Sequence, residues 1–514
     1  MYSKTLPEMD QASTERVAAV SRLRAGARIH VSGICGTGMA AVASLLKQRG
    51  FYVSGSDKAF YPPMGDVVRS IADEIFEGYS AQNLASRPEL VVIGNSLSRG
   101  NAEVEFVLEQ GVPYASMPEV FSALLIGGRD YCATSVVVCG THGKTTTTSL
   151  VANLFEHAQW HPGYFIGGVA KNFQTTVRVV DERQPLERRL VVLEGDEYDS
   201  AFYAKWPKFH SYRPDIVIMT SLEFDHADIY ESVEQIETEF IRLAQRVPAA
   251  GAILYCDADE RLRAIFSKKT EHGILCQLYS YGEATESVFR LVRRSPLGTS
   301  GAGQILELNL RGTIAKVSTK LSGEHNALNM LAAAAVGEIK GLAVEQIEGG
   351  LASFEGVLRR QTVVPSGGGI VLIEDFAHHP TAVDVTLRGL KESFPDSRLI
   401  AVFEPRSNTS RRAVFQDAYT KAFAAADVVI IQESSAAGVY SNTSGEIAAL
   451  DVKRIVNHLR SGGKGAYTFG AVAEIKNFIL QLTRPGDVVV VMSNGDFGGL
   501  IRELSTALSG RQAV

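Results

Sequence analysis

Residues 140–148 read Gly-Thr-His-Gly-Lys-Thr-Thr-Thr-Thr and follow the apolar run Thr134–Cys139. A glycine-bearing turn between a strand and a hydroxyl-rich helix start points backbone N–H groups at an anion, and the helix dipole adds partial positive charge. Gly140, Thr141, Gly143 and Thr146 form the cradle, Lys144 reaches toward outer phosphates, and the Thr145 hydroxyl is suited to Mg²⁺. Val138 stands where the usual G-x-x-x-x-G-K-[ST] loop has its first glycine, so the turn here is the tighter G-x-x-G-K-T. The chemistry implied is the spending of ATP.

A second glycine turn, Gly33-x-x-Gly36-x-Gly38, follows the strand Arg28–Ser32. Its spacing reverses that of the dinucleotide fingerprint, but it too opens a helix and can cradle a diphosphate. Asp57 ends the next strand, placed to accept from a ribose hydroxyl. A tight turn that simply needs glycine is the plainer alternative.

Carboxylates gather at two further strand ends. Glu194-Gly-Asp-Glu-Tyr-Asp199 puts four in six residues, which repel unless cations stand among them. Glu223-Phe-Asp-His-Ala-Asp228 flanks an imidazole with acids, a set suited to a divalent ion or a phosphoryl oxygen. Thr145, Glu194 and His226 together make an incomplete Mg²⁺ shell that phosphates would finish. Asn326 and Asn329, three apart on a helical face, can read an adenine edge or cap the helix start. Arg359 and Arg360 suit phosphate. His378 and His379 are candidate bases, with a structural histidine before Pro380 the equal alternative. Arg406 can grip a carboxylate bidentately.

These residues need elements to hold them beyond strand ends, where open α/β sheets bind ligands. Repeated strand–helix units with continuous apolar strands predict parallel sheets in three α/β blocks. Strands are expected at 28–32, 51–54, 90–93, 112–115, 134–139, 190–193, 216–220, 370–373, 399–403, 428–431 and 488–492. Helices are expected at 39–48 and 326–339, and antiparallel strand from Gln304 to Thr319. Domain boundaries are expected to give 1–132, 133–353 and 354–514.

The chain has 514 residues, more than one ordinary core accommodates. Hydrophobic residues are 45% and charged residues 21%, a globular balance. A net charge of −6 with dispersed Lys and Arg argues against nucleic acid and anionic membrane as partners. Five cysteines without a C-x-x-C pair do not make a disulfide framework. With no membrane-length apolar run and no signal-like start, a cytoplasmic protein is expected.

In this order, the segments resemble the Mur ligase family, the ATP-dependent amide ligases of peptidoglycan assembly, from about residue 28 to 505. The resemblance implies an N-terminal Rossmann-like domain, a central P-loop-type ATPase sheet and a C-terminal Rossmann-like domain. It implies that Gly33, Gly36, Thr37, Gly38, Asp57 and Asn95 hold a UDP-sugar. Gly143, Lys144 and Thr145 would hold ATP phosphates and Mg²⁺, with Glu194 and His226 positioning metal near the sugar's carboxylate. Asn326 and Asn329 would face adenine, Arg360 and Asp375 would meet ATP from the third domain, and Arg406 a peptide carboxylate. The substrates implied are UDP-N-acetylmuramate and a murein peptide, with free L-alanine the alternative acceptor, in a monomer or weak dimer. Other branches carry a modified lysine soon after the metal-site histidine; no lysine occurs here between His226 and Lys268. A nucleotide-dependent dehydrogenase and a non-catalytic ATP-binding scaffold are the rival classes.

Overall fold

The computed structural model describes residues 6–60, 64–127, 133–298, 303–433 and 448–510. They divide into two compact units. The first holds residues up to Leu222, Glu234–Arg290 and Leu331–Gly350; the second holds Glu223–Val233, Leu291–Met330 and the chain from Leu351 onward.

The first unit contains a five-stranded sheet in the order Glu74–Glu77, Tyr52–Asp57, Arg28–Ser32, Leu90–Ile93, Tyr114–Ala115. All its pairings are parallel. Its last strand is shorter than expected because Pro113 has no N–H to donate, although its carbonyl still accepts from Val91 at 2.9 Å. The helix Thr37–Gln48 starts two residues earlier than expected, with Gly36 at its N-cap. The helix Leu6–Ser21 was not foreseen. Arg16 fixes it, pairing with Glu119 at 2.7 Å and lying 4.6 Å from the Tyr203 ring centroid.

A second sheet of this unit runs Gln277–Gly282, Ala252–Cys256, Ile216–Met219, Thr134–Cys139, Leu190–Glu194, Gly163–Phe165, Val177–Arg178. Its pairings are parallel, except the last, which is antiparallel. Strands such as Val136–Cys139 and Leu190–Leu193 are buried on both faces, hence their unbroken apolar character.

The second unit contains the antiparallel hairpin Gln304–Leu310/Thr313–Thr319, as the alternation predicts. Its six-stranded sheet runs Thr362–Val364, Val371–Asp375, Val488–Met492, Leu399–Phe403, Val428–Gln432, Gly465–Phe469. Only the first strand is antiparallel. Successive residues feed opposite faces: Leu399, Ala401 and Phe403 enter one core, Ile400 and Val402 the other. Among the described residues no helix is long and apolar enough to cross a membrane.

Candidate active site

The Gly140–Lys144 turn joins the strand Thr134–Cys139 to the helix Lys144–His157. Gly140 has φ +134°, and a Cβ there would lie 2.1 Å from Thr220 Oγ1 and 2.8 Å from Ser221 N, so only glycine fits. Gly143 is left-handed at φ 82° and caps the helix without a side chain. The turn is tied to the neighbouring strand end: Thr141 N donates to Ser221 O at 3.1 Å, and His142 N donates to Ser221 Oγ at 3.0 Å. Thr220 Oγ1 donates to Cys139 O at 3.1 Å. Thr220 and Ser221 escaped sequence reasoning, although they immediately follow a strand end.

Lys144 Nζ donates to Gly140 O at 2.7 Å and to both oxygens of Glu197, at 3.0 and 2.8 Å. Burial opposes its charge, but Glu197 and then Asp196 hold the ammonium above its ordinary range. Glu197, 1% exposed, is one of the four acids seen in the sequence, which did not single it out as the partner of Lys144. Three of the four acids of the Glu194–Asp199 cluster have a lysine partner: Asp196 pairs with Lys208, Asp199 with Lys205, and Glu197 with Lys144. Three lysines therefore supply cations among these carboxylates.

Glu194 stands apart from that pairing. Its Oε1 accepts from Thr145 Oγ1 at 3.0 Å and its Oε2 from Gly167 N at 2.7 Å. Burial lifts its pKa above the ordinary carboxylate range, against Gly167, Lys144 and Thr145. A hydroxyl and an under-compensated carboxylate beside an anion cradle are hard oxygen donors, and they fit Mg²⁺ carried by a nucleotide. His226, the third expected ligand, belongs to the second unit.

The first glycine turn is held differently. Gly33 is left-handed at φ 81°, and its N–H donates to Ser56 O at 2.8 Å. Gly38 packs so closely on Met117 that a Cβ would meet its sulfur at 2.4 Å. Thr37 begins the helix. Asp57, expected to await a ribose, is engaged by the protein itself. Its Oδ2 accepts from Cys35 N at 2.8 Å, and its Oδ1 accepts from Lys58 N at 2.7 Å and Tyr79 OH at 3.4 Å. It anchors the turn. Asn95 donates to Asp199 O at 3.5 Å, which links the strand end Leu90–Ile93 to the acidic turn.

In the second unit His226 adopts φ 52°, a left-handed conformation uncommon outside glycine. Asp225 is buried; burial opposes its charge, but His226, His379 and His378 hold it well below the usual carboxylate range. His379 is 5% exposed. Its Nδ1 accepts from Thr381 N at 3.3 Å, so it caps the helix Pro380–Ser393. That assigns His379 a structural task and leaves His378 the more open imidazole. Asn326 donates to Ser322 O at 2.8 Å and Asn329 to Asn326 Oδ1 at 3.5 Å. Both are largely buried within the helix Glu324–Ile339, and the bond that Asn326 donates to a carbonyl is not that of a cap, which accepts from a backbone amide.

Arg360 and Asp375 are brought together. Asp375 accepts from Gln361 N at 2.8 Å and Ala377 N at 2.7 Å. Burial raises its pKa against the pull of Arg360. Arg359 and Arg360 both stack on Phe376, at 5.2 and 4.8 Å from the ring centroid. Arg359 also pairs with Glu374 at 3.0 Å. Arg406 is exposed and packs on Gly495, where a Cβ would come within 1.7 Å of its Nη1.

Two phosphate-type turns, an acidic motif and an arginine–aspartate pair on parallel sheets define an α/β nucleotide-dependent enzyme. The chain matches the Mur ligase family catalytic domain over residues 28–129, the Mur ligase middle domain over 138–337, and the Mur ligase glutamate ligase domain over 359–495. It is 34% identical, over 94% of its length and 98% of the relative's, to the UDP-N-acetylmuramate–L-alanyl-γ-D-glutamyl-meso-2,6-diaminoheptandioate ligase of Escherichia coli K12. It is 29% identical, over 91% of its length and 95% of the relative's, to the UDP-N-acetylmuramate–L-alanine ligase of Geobacter sp. M21. Its fold matches the crystal structure of a murein peptide ligase from Psychrobacter arcticus 273-4 at 30% identity and TM-score 0.68, covering 95% of this chain and all of that one. The protein belongs to the Mur ligase family.

Proposed function

We propose that the chain is an ATP-dependent amide ligase that joins L-alanyl-γ-D-glutamyl-meso-diaminopimelate to UDP-N-acetylmuramate. The observation that carries this reading is the 34% identity to the tripeptide ligase across nearly the full length of both chains. The two glycine turns support it, because each suits a different phosphate-bearing substrate. The three matched segments support domain divisions near residues 132 and 353. A nucleotide-sugar substrate supports reading the reaction as a cytoplasmic one.

In this scheme the muramate carboxylate oxygen bonds to the γ-phosphorus of ATP, the bond to the β-phosphate oxygen breaks, and ADP leaves. The peptide's α-amine then bonds to the acyl-phosphate carbonyl; the C–O bond to phosphate breaks, and the amine proton passes to a base or to water. Lys144 and the amides of residues 140–145 hold the transferred phosphoryl group. Thr145 and Glu194, with His226, would hold Mg²⁺, which neutralises phosphate charge. Lys144 turns from Glu197 to that charge. Arg360, steadied by Asp375, contributes positive charge to ATP, Asn326 and Asn329 border adenine, and Arg406 meets a peptide carboxylate. His378 is the candidate acceptor of the amine proton.

The test is a substrate panel with ADP release as the readout. Tripeptide-dependent release with UDP-N-acetylmuramate is expected. Release that depends on free L-alanine and ignores the tripeptide would move the chain to the alanine branch; NAD binding without ADP release would overturn the ligase reading altogether.

A further inference from the structure

The first glycine turn sits on a polar network with no direct access to a ligand. His30, Ser32, Ser56 and Glu103 are all 0% exposed. Ser32 and Ser56 are partners in register on adjacent strands. Both hydroxyls donate to Glu103 Oε2, at 2.5 and 2.7 Å, and Asn83 donates to Glu103 Oε1 at 2.7 Å. His30 bridges the same strands, with Nδ1 3.0 Å from Ser54 Oγ and Nε2 3.2 Å from Ser56 Oγ. Its Nε2 lies 3.5 Å from Glu103 Oε2. Glu103 itself stands on the first turn of the helix Ala102–Gln110, which Asn101 caps. Burial opposes its charge, but His30, Ser32 and Ser56 hold its carboxyl below the usual range.

A buried carboxylate is expensive even when every lone pair is used, and an apolar set could join two strands to a helix at less expense. What an apolar set could not do is fix the strand ends with directional bonds. Ser32 directly precedes Gly33, and Ser56 directly precedes Asp57. Gly33 N and Ile34 N donate to Ser56 O at 2.8 and 3.0 Å. Cys35 N donates to Asp57 at 2.8 Å. The turn's anchors are therefore the two residues that Glu103 holds and their immediate neighbours.

We propose that Glu103 is a positioning residue for the UDP-sugar turn: through Ser32 and Ser56 it sets the two strand ends so that the Gly33–Gly38 amides and Asp57 meet the substrate in register. This rests on reading the first turn as the UDP-sugar site. The second turn is built on other strands, so the effect is confined to the sugar nucleotide.

Glu103→Gln and the double variant Ser32→Ala/Ser56→Ala test it, the second retaining the Glu103–Asn83 bond should the first fold poorly. Calorimetric binding of UDP-N-acetylmuramate, KM for ATP and thermal unfolding are measured on each, with the full-length wild type alongside. The expected result is a Kd for the sugar nucleotide about tenfold weaker, equivalent to about 1.4 kcal/mol. KM for ATP and kcat at saturation are expected to stay close to wild type. A variant that melts earlier but binds the sugar nucleotide as tightly as wild type overturns the inference, as does an equal rise in both KM values. Wild-type protein that fails to bind UDP-N-acetylmuramate overturns the underlying reading, an outcome distinct from tight binding by the variants.

Discussion

The two glycine turns share a plan, strand then turn then helix, and differ in where their charge lies. The second carries its cation in the turn itself, with Lys144 locked to Glu197 at 2.8 Å and a carboxylate–hydroxyl pair, Glu194 and Thr145, beside it. The first has no cation in its turn; its charged groups, Asp57 and Glu103, bind the protein's own amides and hydroxyls. A turn that must stabilise charge moving during phosphoryl transfer needs mobile side chains held ready. A turn that only grips a stationary diphosphate can rely on backbone amides, provided that the backbone is fixed.

The comparison breaks most visibly at Lys144. Lys144→Ala removes the second turn's cation and leaves the first untouched. Peptide-dependent ADP release should fall on the order of 10³-fold, while calorimetry should find UDP-N-acetylmuramate binding unchanged. Near-normal turnover would remove Lys144 from the scheme. Gly140→Ala comes next. Its Cβ would collide with Thr220 Oγ1 at 2.1 Å and with the Ser221 backbone. A loss of about 1–3 kcal/mol of stability is expected, read by urea unfolding, and nucleotide should no longer raise the melting temperature.

Both turns were legible in the sequence because glycine, lysine and hydroxyl residues sit at fixed offsets after apolar strands, a pattern local in the chain. The doubly covered sheet of the second unit was legible for the same reason: Leu399–Phe403 and Val488–Met492 are unbroken apolar runs. Glu197 was in view as one acid of four, but its pairing with Lys144 spans 53 positions, and no local pattern marks which acid takes it. Glu103 lies 71 positions from Ser32 and reads as an ordinary first-turn glutamate. At His379 the sequence left two readings equal, a base and a structural histidine before Pro380; the cap that it makes on the helix that Pro380 starts favours the second.

A smaller effect separates anchoring from recognition in the first turn. Asp57→Asn keeps the shape but replaces one carboxylate oxygen with a donor, which sets it against the amide of Cys35 or Lys58. KM for UDP-N-acetylmuramate should rise about tenfold with KM for ATP unmoved, matching the loss of one charge-assisted hydrogen bond. Equal changes in both constants would mean that the two turns are not independent.

The smallest effect is one of sign. Glu103 is held below its ordinary value near 4.5, so its ionised form favours the folded chain. That stability is fully present above about pH 4.5 and is lost as pH falls through the lower folded value. Glu194 is held above the same ordinary value by burial, so its stabilising state is the protonated one. Its contribution is full below about pH 4.5 and is lost as pH rises through the higher folded value. Urea unfolding of wild type against Glu103→Gln and Glu194→Gln, without nucleotide or metal, across about pH 3 to 7, should give two gaps that move in opposite directions. With rising pH, wild type gains on Glu103→Gln and loses ground to Glu194→Gln. Gaps that move together would mean that the carboxylates beside the two turns serve the fold in the same way, and the division between a fixed grip and a charged one would fail.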